Sequence, residues 1–282
     1  MHSLGYIGLA LASSGAVAWT ACALSKRYDA AFDFNLPAPA NEDRALTEAW
    51  SRRVLRDGIP MSTQLREGLP ELPARMRALP LDDRGYPVPF FVAWFDGKPD
   101  FRVADQKKMG ICHNQHRCWL CGEKLGKYMA FVIGPMCAVN RTSSEPPSHV
   151  DCAKFAASAC PFLARPKAVR RDSGLPEERV DPAGLGIPRN PGVALVWVTR
   201  EYKAFRAPGG VLFRIGDPEQ TIWYAEGRAA TREEVMHSVQ TGLPSLYDLA
   251  HLQGEAAVME LDTAVARATR HFPQHAAAPH LG

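Results

Sequence analysis

Four side chains that commonly bind metal ions fall into two closely spaced pairs. Cys118 and Cys121 lie in the segment Cys-Trp-Leu-Cys-Gly, and His149 and Cys152 are three positions apart further along the chain. A Cys-x-x-Cys turn lets two thiolates converge on one ion, and a three-residue spacing puts the second pair on one face of a helix. The pattern predicts a tetrahedral Zn²⁺ site with these four ligands.

The residues between the two pairs predict how the ligands are positioned. Two apolar runs, 128–133 and 136–140, flank Gly134-Pro135, a pattern typical of a β-hairpin. Residues 153–159 favour a helix that ends before Pro161 and carries the second ligand pair in its first turn. The turn over residues 118–122, here called the knuckle, is followed by a hairpin and then a helix. This order resembles a treble-clef zinc finger, over residues 112–163.

The other cysteines admit two interpretations. Cys112 and His116 could form a different cluster with the first cysteine pair, but small buried hydrophobic side chains are the favoured interpretation of Cys112, Cys137 and Cys160. A disulfide-bonded secreted segment is disfavoured by the histidine at a ligand position and by the odd total of seven cysteines.

The composition is that of a globular protein with a real core. The chain has 282 residues, of which 46% are hydrophobic and 22% charged, and its 23 prolines argue against a helical bundle. The net charge is only +3, so the total charge gives no strong indication of nucleic-acid binding. Residues 98–127 and 165–206 are locally basic. Ordinary solvated surface charge is the favoured interpretation, and a basic surface beside the zinc module is the alternative.

The first 60 residues differ in character from the rest. Residues 3–25 contain no Asp, Glu, Lys or Arg and are long enough to span a bilayer, and Lys26-Arg27 would then keep the rest of the chain cytoplasmic. No basic residue precedes this stretch, which disfavours a secretory signal. The alternative is that residues 1–60, with a helix over 45–55, are an extension outside a functional unit that begins near Met61.

Residues 61–163 are predicted to hold a hairpin and the zinc module. A strand over 85–95 is followed by the turn Asp96-Gly97, a partner strand near 101–103 and a helix over 104–116. Prolines and charges over 164–191 indicate a linker.

Residues 192–272 are predicted to form an antiparallel sheet followed by helices. The strands are expected at 193–199, 211–215 and 221–225. Thr231 and Glu234 form a capping box at the start of a helix that should end near Gly242, and further helices should begin at Ser245 and cover 255–271, before a loose tail over 273–282. The chain is therefore predicted to be an α+β protein, with a treble-clef-like zinc module, an antiparallel sheet and C-terminal helices.

Motifs of known enzymes are missing from the sequence, which has no phosphate-binding loop, dinucleotide fingerprint or His-Glu-x-x-His helix. Four Cys and His ligands fill the shell of a zinc ion, so the site is predicted to be structural rather than catalytic. A metal-dependent nuclease or hydrolase that uses His113 or His116 is an alternative, although the predicted hairpin contains no histidine.

Three sequence blocks resemble those of uncharacterised bacterial and phage-borne proteins. They are 81–89, 118–122 and 223–232, and the resemblance covers residues 61–272. It implies a mobile-element context and no particular activity.

The favoured function is a zinc-stabilised binding module for nucleic acid or protein, and a membrane-anchored protein of the cytoplasmic face is a further alternative. The aromatic residues Trp94, Trp197 and Trp223 are expected in the core, and only Trp119 is expected to be partly exposed. The sequence leaves the oligomeric state open.

Overall fold

The computed structural model describes residues 62, 64–165, 171, 173–176, 179, 183–184, 190–207 and 210–274. Helices and antiparallel β-sheets occur together in this part of the chain, and two helices follow the last strand. The predicted α+β class with an antiparallel sheet and C-terminal helices is therefore confirmed.

The strands, in chain order, are β1 (Val92–Phe95), β2 (Lys98–Ala104), β3 (Met129–Ile133), β4 (Thr142–Ser143), β5 (Ala194–Thr199), β6 (Tyr202–Ala207), β7 (Gly210–Ile215), β8 (Gln220–Ala225) and β9 (Arg228–Ala229). The α-helices are α1 (Gln106–Asn114), α2 (Pro135–Asn140), α3 (Val150–Ala159), α4 (Arg232–Gln253) and α5 (Glu255–Ala268). Short 3-10 helices cover Ala74–Met76 and Thr269–His271.

A central sheet with the order β3-β5-β8-β9 is antiparallel throughout. Its strands β3 and β5 are buried at every position, which explains why their sequences are continuous apolar runs. Successive side chains of a strand point to opposite faces, so each strand contributes to two cores. Phe131 pairs with Trp197 on one face, and Val132 pairs with Val196 on the other.

The two faces of this sheet are covered by different elements. The metal-side core contains α3, the knuckle and the β1–β2 hairpin, with buried residues that include Phe91, Trp119, Leu120, Phe155 and Val196. The helix-side core contains α2, α4 and α5, with buried residues that include Phe131, Trp197, Phe213, Leu246 and Leu261.

The hairpin β1–β2 forms as predicted around Asp96-Gly97. Both turn residues have positive φ, 47° and 75°, which is the conformation of a two-residue turn between antiparallel strands. The predicted helix after β2 is α1, whose first amides are capped by the Asp105 side chain.

The predicted hairpin over residues 128–140 is wrong. Its second apolar run is the helix α2, which begins with Pro135 directly after Gly134, and its first run, β3, pairs with β5 instead. Proline is favoured at the first position of a helix because its missing N–H would have no partner there. Every residue of α2 is buried, since the helix packs against α4 and α5.

The runs 211–215 and 221–225 are strands as predicted, but they belong to different sheets. β7 pairs with β4 and with β6, a strand that the sequence analysis missed, whereas β8 pairs with β5. β6 has no fully buried residue, so its sequence lacks the apolar character of the other strands.

The capping box at Thr231 and Glu234 is present, with both reciprocal hydrogen bonds formed. The predicted break near Gly242 is wrong, because α4 continues through Pro244 to Gln253. A Cβ on Gly242 would lie 3.0 Å from the Met136 sulfur, so this glycine permits close packing of α4 on α2 rather than ending the helix.

Within the described residues, no helix combines the length and the apolar character needed to cross a membrane. The apolar stretch 3–25 and the expected helix over 45–55 lie outside the described residues, as does most of the predicted linker. The β3–β5 pairing places a strand of segment 61–163 and a strand of segment 192–272 in one sheet.

One acidic side chain is buried without compensation. The Glu145 side chain lies in the loop before α3, and its Oε1 has no hydrogen-bond partner. Burial raises the pKa of this carboxyl well above its usual value, because removal from water disfavours the charged form.

Glu145→Gln should therefore stabilise the protein increasingly as the pH rises. Below the unfolded-state pKa, about 4.3, both states hold the proton, and above it the native state resists ionisation that the unfolded state undergoes freely. We expect the free energy of unfolding of the wild type to fall relative to the variant by up to about 1.4 kcal/mol per pH unit above that point. Urea unfolding of the metal-loaded protein between about pH 5.5 and 8 measures this difference.

The exposed Glu67 offers the control, since Glu67→Gln should show no such trend. A constant difference between wild type and Glu145→Gln across this pH range would contradict the uncompensated burial of the carboxyl.

Candidate metal centre

The first ligand pair lies in a tight turn that follows α1. Backbone hydrogen bonds run from the Gly122 N–H to the Cys118 carbonyl (2.9 Å) and from the Cys118 N–H to the Glu123 carbonyl (2.7 Å). Gly122 has φ +78°, and a Cβ there would lie 2.9 Å from a ring carbon of Phe90. Both the left-handed conformation and the close approach of the ring require glycine at this position.

The second ligand pair lies at the start of α3. His149 is the N-cap residue and Cys152 is in the first turn, so both side chains point toward the knuckle. The His149 N–H donates to the Cys118 sulfur at 3.3 Å, and the Cys121 N–H donates to the same sulfur at 3.4 Å. These two amides stabilise negative charge on Cys118.

The structure brings all four predicted ligands into one buried group. Their ligand atoms all lie within 4.8 Å of one another. His149 Nδ1 is 3.3 Å from the Cys121 sulfur and 4.0 Å from the Cys152 sulfur. A tetrahedral ion with ordinary bond lengths would hold sulfur and nitrogen about 3.5 Å apart, so these side chains could hold a metal ion.

The orientation of the imidazole is set by a backbone carbonyl. His149 Nε2 lies 3.0 Å from the Lys124 oxygen, so the N–H on Nε2 donates to that carbonyl and the Nδ1 lone pair faces the three sulfurs. Such an outer hydrogen bond fixes the tautomer and the ring plane of a metal-binding histidine.

The charges of the three thiols are strongly interdependent. Burial alone would raise the pKa of Cys118, but hydrogen bonds from Cys121, Cys152 and His149 outweigh it and hold that pKa well below its usual value. The hydrogen bond to Cys118 raises the pKa of Cys121 to about 12 and that of Cys152 further. Each charged sulfur therefore disfavours charge on its neighbours, and a cation between them would favour the thiolate form of all three.

The remaining cysteines of the described chain stay outside this group. Cys112 and Cys137 are fully buried, as predicted for small hydrophobic side chains, and Cys160 is half-buried at the end of α3. The Cys112 sulfur lies 3.7 Å from the Cys118 carbonyl oxygen, so it contacts the backbone of the knuckle rather than the ligand atoms. The alternative cluster of Cys112 and His116 with the first cysteine pair does not form.

The two histidines of the nuclease hypothesis belong to an aromatic cluster instead. His113 Nδ1 is 3.4 Å from the Tyr202 hydroxyl, and the His113 ring meets the edge of Phe213. His116 stacks on Tyr202 with ring centroids 6.1 Å apart. Burial lowers the pKa of His113. Neither histidine joins the metal-ligand group.

The expectation that Trp119 is partly exposed is wrong. Its side chain is 1% exposed and stacks on Phe91, with ring centroids 4.9 Å apart. The backbone N–H of Trp119 donates to the Pro147 carbonyl at 3.1 Å, so the loop before α3 lies against the knuckle. Trp197 and Trp223 are buried as expected, whereas Trp94 is only partly buried and packs against the metal-side core.

An open groove of about 680 Å³ lies beside the metal centre. We call it the lysine groove, since its lining includes Lys124, Lys127 and Lys154, together with Tyr128, His149, Arg75 and Asp151. The positions of Tyr128 and Lys154 in this groove were not predicted from the sequence. Tyr128 directly precedes the buried strand β3 and follows a lysine, and this position at a strand end was the available signal.

No protein-family model, curated protein or solved structure matches this chain. The resemblance of residues 61–272 to bacterial and phage-borne proteins stays a prediction. The function must therefore be inferred from the geometry of the sites themselves.

Cys152→Ala should weaken metal binding strongly, because it removes one thiolate from the shell and leaves the fourth position to water. We expect about one metal ion per chain in the wild type and almost none in the variant, with loss of the near-ultraviolet circular dichroism of the buried Trp119. Elemental analysis after gel filtration measures the metal content.

Cys137→Ala is the matched control, since Cys137 is equally buried but lies in the helix-side core. It should keep its metal and lose only the modest stability of a small truncation, about 1 kcal/mol. Full metal content in Cys152→Ala would exclude this residue as a ligand.

Proposed function

We propose that the ion is Zn²⁺ and that its role is structural. Three thiolates and one imidazole suit this ion, and a shell filled by four protein ligands has no position for a substrate or a reactive water. The ligand cysteines belong to the metal-side core with Trp119 and Phe155, so the ion would hold the knuckle against α3. Its binding free energy then contributes directly to folding.

The module is proposed to be treble-clef-like in a modified form. The hairpin expected between the ligand pairs is replaced by a wider one, in which Ala130 of β3 exchanges two backbone hydrogen bonds of 2.8 Å with Ser148. The excursion between these arms contains α2 and β4. The knuckle, the two arms and α3 keep the expected order.

We further propose that this zinc module binds nucleic acid through the lysine groove. The observation that carries the proposal is the excess of positive charge there. Lys124, Lys127 and Lys154 have no carboxylate within ion-pair distance in the described part of the chain. Arg75 is shared between Glu123 (3.3 Å) and Asp151 (3.6 Å), so it compensates one of these two acidic charges and the three lysines outnumber the one that remains. A row of unpaired lysines is suited to a phosphodiester backbone.

An aromatic ring at the same groove favours a single-stranded ligand. Tyr128 is 49% exposed, and the Lys127 ammonium lies 5.9 Å from its ring centroid. An exposed ring beside cations is the arrangement on which unpaired bases stack, and such contacts contribute about 1–3 kcal/mol per base. A duplex would leave this ring without a stacking partner.

Zinc is tested by metal analysis and by substitution. Protein purified without added metal should contain about one zinc per chain. Replacement by Co²⁺ should give the visible absorption of tetrahedral cobalt and the near-ultraviolet charge transfer of thiolate ligands. Sub-stoichiometric zinc together with octahedral cobalt absorption would reject the proposed metal shell.

The groove is tested by the triple variant Lys124→Gln, Lys127→Gln, Lys154→Gln. Binding to a fluorescent single-stranded oligonucleotide should weaken, and the slope of log K against log salt should become shallower by about 2, since each lysine that contacts a phosphate contributes about 0.7. Fluorescence anisotropy at several salt concentrations between about 50 and 200 mM measures both quantities.

The triple variant Lys98→Gln, Lys107→Gln, Lys203→Gln is the matched control, because it removes the same charge from exposed positions outside the groove. It should bind with a nearly unchanged slope. Tyr128→Ala should weaken binding and Tyr128→Phe should retain it. Equal losses in the two triple variants would reject the groove, and absence of binding by the wild type would leave a protein ligand as the alternative. Cleavage of the oligonucleotide would favour the hydrolase.

A further inference from the structure

A second concave site lies on the other side of α3. This apolar cavity has a volume of about 240 Å³. Its walls come from the knuckle, the β1–β2 hairpin and α3, and include Met76, Phe91, Phe101, Leu120, Phe155 and Ala159. The site is separate from the lysine groove, which shares none of these residues.

The size and chemistry of the walls restrict what can bind. An apolar cavity of about 150 Å³ is large enough for benzene, so this one has room for two fused rings. Pockets for drug-sized ligands start at about 300 Å³, so the enclosed part of this cavity is smaller than such a pocket. Aromatic walls favour a flat ring, which can stack or meet edge to face with Phe91, Phe101 and Phe155.

Three arginines line the mouth of the cavity, and two of them are paired with aspartates. Arg84 pairs with Asp82 at 2.7 Å and more distantly with Asp83 at 3.9 Å, and Arg102 pairs with Asp100 at 2.6 Å. Arg171 is exposed and has no ion pair within the described part of the chain. Its backbone carbonyl accepts a hydrogen bond of 2.9 Å from Arg102, which holds this residue at the mouth.

We propose that the apolar cavity binds a small aromatic monoanion, with two fused rings between the phenylalanines and a carboxylate at Arg171. The ring supplies the apolar area that the walls can bury, and the carboxylate remains at the mouth, where it stays partly hydrated. The bound molecule would connect the hairpin, the knuckle and α3. Nothing in this site requires the lysines of the groove.

2-Naphthoate is the probe, titrated into the full, zinc-loaded chain labelled with ¹³C at its methionine methyl groups. The ring current of the bound naphthalene should shift the Met76 methyl resonance, which Met76→Leu identifies. The Met136 methyl is the internal control, because it lies in the helix-side core and should not move. Elemental zinc and the unfolding midpoint check that each variant is folded.

Two variants test the apolar cavity and Arg171 separately. Ala159→Leu fills the cavity from α3 and should reduce affinity at least about tenfold, and Ala156→Leu replaces it if the first variant does not fold. Arg171→Gln should weaken 2-naphthoate about threefold, as expected for an exposed charge pair, and should leave neutral 2-naphthalenemethanol unaffected.

Saturable shifts of Met76 that disappear in the filled variant would support the site. The proposal is overturned if Met76 does not respond, or if a folded, filled variant binds as the wild type does. Equal affinity for the anion and the neutral alcohol would overturn the role of Arg171. Because these substitutions spare the zinc ligands and the lysine groove, neither result depends on nucleic-acid binding.

Discussion

The convergence of three sulfurs and one imidazole nitrogen is the constraint on which the first half of this structure depends. The Cys118 sulfur accepts hydrogen bonds from two amides that are distant in sequence, and its neighbours come from a tight turn and from the start of a helix. Both candidate binding sites are built from the region of the knuckle and from α3. The groove uses Lys124 and Lys154, and the cavity uses Leu120 and Phe155. Metal loss would therefore be expected to remove both sites together.

The central sheet connects this module to the C-terminal helices. β3 leaves the knuckle and pairs with β5 along its full length, and each strand places alternate side chains in the two cores. A sheet that is buried on both faces fixes its register strongly, because a slip of one residue would exchange the two sets of side chains. Ala130 and Val132 belong to the core that contains α3, whereas Phe131 and Trp197 belong to the core formed with the long helices. The position of α3 relative to α4 is thus determined through the sheet.

The ligand pattern and most strands could be predicted because their signals are local. A Cys-x-x-Cys-Gly turn, a capping box and a continuous apolar run each depend on residues within a few positions. The prediction of a strand over residues 136–140 was wrong because a short apolar segment suits a buried helix and a buried strand equally. Proline directly after Gly134 was the distinguishing feature. The burial of Trp119 was not readable, since it depends on Phe91 and on the loop near Pro147. The groove and the cavity could not be predicted from the sequence either, because both form where distant segments meet.

The lysines of the groove admit a second explanation besides the proposed binding of nucleic acid. Three thiolates around a divalent ion leave one negative charge, and nearby lysines could serve only to balance it. One ammonium is enough for that purpose, and charges at an exposed surface are largely screened beyond about 8 Å. Arg75 compensates one of the two charges of Glu123 and Asp151, so one acidic charge remains besides that of the metal shell. Lys124, Lys127 and Lys154 still exceed these two negative charges by one. Charge balance also gives no reason for an exposed tyrosine ring beside these lysines. A polyanion that also presents flat bases accounts for both the surplus charge and the ring of Tyr128.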